Sequence, residues 1–82
     1  MKKLEFEGNK NIISKKLKEM RVDKNISQQE LAVKLQLMNV NIDQQMISKI
    51  EKNMRQVTDY ELLAICKCLG VTAEELSEYN FD

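Results

Sequence analysis

Proline and histidine are absent from the 82 residues, tryptophan is absent too, and glycine occurs only twice. Without proline, and with so little glycine, little bars the backbone from helix, so the chain favours helices joined by short connections. The lack of histidine removes the commonest general base and the commonest metal ligand. No glycine-rich phosphate loop and no nucleophile spaced from a base replaces it, so the usual plans for catalysis and for metal or cofactor binding are excluded. Cys66 and Cys68 stand two apart on a predicted helix, where their side chains diverge by about 200° and cannot pair with each other. Cys66 reads as a small core residue and Cys68 as a more exposed thiol in a reducing compartment. No apolar run approaches the length of a membrane span and no secretory leader is visible, which points to a cytoplasmic protein without a membrane partner. Nothing marks a small-molecule substrate.

An excess of charge is missing as well: thirteen Lys or Arg balance thirteen Asp or Glu. The charges are nevertheless unevenly placed, with residues 1–24 basic and residues 57–82 acidic. The molecule is therefore polarised, with an acidic end suited to face away from an anionic partner. A chain of this length makes one domain with a single core, burying only about 60–65 % of its unfolded surface.

What is present falls into three parts: an N-terminal arm at 1–10, a helical domain at 11–77 and a tail at 78–82. In the arm, the alternation KLEFE suits either one short strand or a loosely docked end with Leu4 and Phe6 resting on the body. From about Asn11 to Lys24 the spacing of Ile13, Leu17 and Met20 predicts a helix, and Arg21 lies beside that stripe, where it needs an anionic partner. After a turn at Asn25, Ser27 and Glu30 form an S-x-x-E capping box that opens a second helix, buried through Leu31, Ala32 and Leu35. Gln28 and Gln29 at its start are either phosphate ligands or ordinary first-turn residues.

The segment QLMNVNI, with residues 36–43 forming the connection, is long and apolar for a loop; packing of Leu37, Met38, Val40 and Ile42 beneath the helices is expected. A third helix then starts at Asp43 and runs to about Lys52. Its wheel puts Met46, Ile47 and Ile50 on one arc with Glu51 at the edge, and Gln44, Gln45, Ser48, Lys49 and Lys52 on the other. A solvated face is the ordinary reading of such a polar arc. Two adjacent amides at its N-terminal end suggest more, because each can grip an adenine edge bidentately in a major groove, while Lys49 and Lys52 can reach phosphate or guanine. Asn53 suits a left-handed helix end. Thr58 with Glu61 and Thr72 with Glu75 open two further helices, the first striped by Leu62, Ile65, Cys66 and Leu69, flanked by Leu63 and stopped by Gly70. In the tail, Tyr79 or Phe81 is placed to lie on the core or on a second subunit.

This order, an Arg21 helix, SQQELA, QQMISKIE, an exit loop, DYELLAICKCLGV and TAEEL, resembles the lambda-repressor-like helix-turn-helix family of bacterial and phage regulators, the Cro/C1 or XRE type, from about Ile13 to Leu76. The likeness implies an all-α, compact five-helix DNA-binding domain with the helix-turn-helix at helices two and three and an extended inter-helix loop. It implies phosphate contacts from Ser27, Gln28, Lys52 and Arg55, base contacts from Gln44, Gln45, Ser48 and Lys49, and a structural ion pair between Arg21 and Glu51. It further implies a repressor-like transcriptional regulator of double-stranded DNA, acting as a homodimer on a two-fold operator with half-sites about 34 Å apart. The different-class alternative is a protein-interaction module, an antitoxin or adaptor, with weak affinity for DNA. Two departures stand out. The connection between the motif helices is longer than the usual L-G-x-S turn, and the usual E-N-G-K-R exit reads Glu51, Lys52, Asn53, Met54, Arg55.

Overall fold

The computed structural model describes residues 6–79. Five helices make up its body: α1 (Ser14–Asp23), α2 (Gln28–Leu37), α3 (Gln44–Glu51), α4 (Asp59–Leu69) and the single turn α5 (Ala73–Leu76). The first four end alike. A residue with positive φ follows each one, Asn25 (58°), Asn39 (63°), Asn53 (60°) and Gly70 (69°). The next amide then reaches back to the last turn: Ile26 to Arg21, Val40 to Leu35, Met54 to Lys49 and Val71 to Cys66, at 2.8–3.0 Å. These are Schellman closures, each carrying an apolar residue just past the left-handed position. Asparagine does the work of glycine three times in a chain that has almost none, since its short polar side chain tolerates the left-handed region.

The helix starts are closed by side chains. Ser27 Oγ accepts from Glu30 N (3.0 Å) while Glu30 Oε1 accepts from Ser27 N (2.8 Å), and Thr72 with Glu75 repeats the exchange. Accepting the Ser27 backbone N–H holds the Glu30 carboxyl below its ordinary range. Helix α1 starts later than the apolar spacing predicts, at Ser14 rather than near Asn11, because the Asn11 side chain turns the chain by accepting from Ile13 N (3.0 Å). Its first turn is met from the far end of the chain, where Glu78 Oε2 accepts from Ser14 Oγ (3.2 Å) and from Lys15 N.

The five helices close around Leu17, Leu31, Leu35, Ile42, Ile47, Ile50, Ile65 and Leu76, all fully buried. Packing of α1 and α2 on α3, and of α4 on α2, sets the pose of α3. The long connection divides. Val40 and Ile42 are buried, whereas Leu37 ends α2 at 80 % exposure and Met38 is exposed, against the expectation that all four pack inward. Met38 lies along the half-buried Cys68, with the sulfurs 3.5 Å apart, while Cys66 is in the core and burial raises its thiol pKa. On α4, Ala64 joins the core and Leu63 stays exposed, because Ala64 and not Leu63 shares the face of Glu61, Ile65 and Leu69. Phe6 and Asn9 form one antiparallel bridge around Glu7 and Gly8, and the Phe6 ring meets Tyr79 edge-on at 4.8 Å. The expectations for Leu4 and Phe81 lie outside the described residues.

Candidate nucleic-acid interface

Helix α3 is held from beneath and offered from above. Asp43 caps it, its Oδ1 accepting from Met46 N (2.8 Å), while Met46 Sδ stands where a glutamate would be and accepts from Asp43 N (3.5 Å). Ile47 and Ile50 are wholly buried, and Met46 packs partly against the core. On the opposite arc Gln44, Gln45 and Lys49 are exposed and Ser48 is half-buried; Lys52 is exposed at the C-cap. The four residues expected to face bases, Gln44, Gln45, Ser48 and Lys49, thus share one arc, a direct result of the 3.6-residue period.

Beneath that surface Arg21 closes on Glu51. Its Nε and Nη2 donate to the two carboxylate oxygens at 2.7 and 3.1 Å, its Nη1 donates to Ile26 O (2.8 Å), and the two side chains are 10 % and 4 % exposed. Gln28 joins them, its Nε2 donating to Glu51 Oε1 (3.0 Å). The side-chain amide of Gln28 is therefore turned towards the brace, and since Ser27 Oγ takes the Glu30 N–H, what the start of α2 still offers is the backbone N–H groups of Gln28 and Gln29, which have no partner inside a helix. Ser27 is exposed at the same end.

At the other end of α3 the chain leaves through Asn53, Met54 and Arg55. Arg55 does not extend outward as its expected phosphate role suggests: Nη1 and Nη2 donate to the Glu61 carboxylate at 3.0 and 3.1 Å, and Nη1 also reaches Gln56 O. Glu61 is 5 % exposed and also accepts from Thr58 N (3.0 Å), so one carboxylate opens α4 and holds the exit loop. The T-x-x-E spacing marks Glu61 only as a capping residue. Its pairing with Arg55 spans a loop and a cap, which no helical period connects.

The Arg55 hydrogen bonds hold the Glu61 carboxyl below its ordinary range, and Glu61 in turn raises Arg55. A lowered carboxylate pKa contributes stability above the unfolded-state pKa of about 4.3, and that contribution is lost as pH falls through the folded value. Glu61→Gln is accordingly expected to lower the urea midpoint at pH 7. The gap from the parent protein should narrow by pH 3. A gap of equal size at both pH values would refute the linkage.

A family model described as helix-turn-helix matches residues 17–76. The restriction-modification controller protein C.AhdI from Aeromonas hydrophila has a similar crystal structure, with a TM-score of 0.69 and 25 % sequence identity over 78 % of this chain and 86 % of that one. No curated protein is significantly similar to the chain. No helix among the described residues is long and apolar enough to cross a membrane. The capped, outward-facing α3 against α2, with the family match across both, makes the chain a member of the Cro/C1-type (XRE) helix-turn-helix family of DNA-binding transcriptional regulators.

Proposed function

We propose that the protein is a repressor-like regulator that reads double-stranded DNA through α3 and acts as a homodimer on a two-fold operator. The observation that carries this reading is the uncharged, exposed amide pair Gln44–Gln45 at the N-terminal end of a helix whose other face is anchored in the core by the fully buried Ile47 and Ile50. Gln44, Gln45, Ser48 and Lys49 lie against base edges, where an amide matches the donor and acceptor of adenine and Lys49 matches guanine. Ser27, the first-turn amide of Gln28, and Lys52 meet phosphates, and Arg55 acts chiefly by holding the exit loop through Glu61. Zero net charge is compatible with this arrangement because the acids concentrate in residues 57–82. A single α3 covers one half-site, and a second copy supplies the other.

Selection of bound DNA from a random pool should return a two-fold sequence with half-site centres about 10 base pairs apart. Gln44→Ala and Gln45→Ala should each relax the preference at particular base pairs by about 1–3 kcal/mol while leaving binding to random DNA nearly unchanged. Equal loss on every sequence would remove these residues from base readout. The second reading, a protein-interaction module, draws on the exposed Val33, Leu37 and Met38 around the end of α2. It gains if selection enriches no sequence at all.

A further inference from the structure

The last turn of α3 is tied to a segment far away in sequence. Asn11 is 8 % exposed, and its Nδ2 donates to Ile50 O (3.0 Å) in the last turn of α3 and to Arg55 O (2.9 Å) in the exit loop. The bond is returned: Asn53 Oδ1 accepts from Lys10 N (2.9 Å) and Asn11 N (3.1 Å), and Asn53 Nδ2 donates to Asn9 Oδ1. Asn11 Oδ1 accepts from Ile13 N as well, so one side chain starts α1 and holds the end of α3. Asn9 then donates to the Tyr79 hydroxyl (2.8 Å).

We infer that Asn11 and Asn53 are positioning residues for DNA recognition, a latch between residues 9–11 and the exit loop that fixes the direction in which α3 points. The inference rests on α3 being the base-reading helix. Apolar contacts such as those of Ile47 and Ile50 are non-directional, whereas bonds of about 3 Å to the Ile50 and Arg55 carbonyls are directional. Gln44 lies six residues before Ile50, about 9 Å along the axis, so a tilt of about 10° at the anchored end moves it by roughly 1.5 Å. Bidentate base contacts tolerate only about 0.5 Å of misplacement. Phosphate contacts from flexible lysines tolerate more. Asn53 also occupies a left-handed position that glycine would fill with less strain, and its side chain gives a reason for asparagine there.

Asn53→Gly tests this cleanly, because glycine keeps or relieves the backbone conformation while removing the side-chain half of the latch. In the free protein, the amides of α3 should exchange with solvent about tenfold faster with those of α2 and α4 unchanged, and the melting temperature should not fall. On DNA, the ratio of affinity for selected over random sequence should drop about tenfold with binding to random DNA and its salt dependence intact. Asn11→Ala should lower the same ratio. Unchanged α3 exchange in Asn53→Gly overturns the latch, as does an unchanged ratio, or a ratio that falls only in step with melting temperature. If the parent protein itself does not discriminate between sequences, it is the base-reading function that fails, and the positioning role falls with it; the exchange experiment still decides whether the asparagines hold α3.

Discussion

Arg21→Ala should cost about 3–5 kcal/mol of folding stability, as large a loss as any single surface-edge residue can cause here. The substitution leaves the Glu51 carboxylate, 4 % exposed, with only the Gln28 amide among its present side-chain partners and strips the Ile26 carbonyl of its guanidinium donor. Desolvation of an unpaired charge, rather than loss of the attraction itself, sets the magnitude. For a domain of this size about 3 kcal/mol corresponds to a fall in melting temperature on the order of 15 °C. Replacing both partners, Arg21→Met with Glu51→Met, should restore much of the loss, because no charge is then left behind. Thermal unfolding of Arg21→Met, Glu51→Met and the double variant checks this. A double variant as unstable as the sum of the singles would show that the pair is not coupled.

The second large effect is expected in the connection between α2 and α3. Ile42→Ala should destabilise by about 2–4 kcal/mol, since Ile42 is fully buried and its removal opens a cavity that flanking helices cannot easily close. Leu37→Ser, only five residues earlier and equally apolar by composition, should change stability by about 0.5 kcal/mol or less, because that side chain is 80 % exposed. Denaturant midpoints for the pair test whether the loop is a structural element or a slack tether. Similar values for both variants would contradict the division of the loop into an anchored half and an exposed half.

That division also shows where reading the sequence stops. The positions of α2, α3 and α4 were legible because their signals are local: Ser27 with Glu30, Asp43 before an apolar arc, Thr58 with Glu61, and Gly70 after Leu69. The outward arc of α3 followed from periodicity alone. Periodicity also placed Arg21 and Glu51 at the edges of apolar stripes, but the family likeness was needed to pair residues thirty positions apart. The inward turn of Arg55, the burial of Ile42 with exposure of Leu37, and the double role of Asn11 depend on which surfaces meet. No local pattern encodes them. Asn25 was legible as a turn, but Asn39 sat inside an apolar segment that concealed its helix-ending role.

Val33, Leu37 and Met38 are exposed on α2 and just past its end, on a domain whose proposed DNA-facing elements are the start of α2 and the outer arc of α3. The proposed assignment makes α3 the source of specificity and the lysines and helix termini the source of general affinity. Those two contributions respond differently to ionic strength: phosphate contacts weaken in proportion to the counterions they release, while base contacts persist.

The most direct test is a salt titration of the protein's affinity for its selected operator and for random duplex DNA of equal length. The logarithm of affinity should fall linearly with the logarithm of salt for both, with the operator bound at least about a thousandfold more tightly throughout. Failure to retain duplex DNA even at low salt, or equal affinity for both sequences, would contradict base reading by α3.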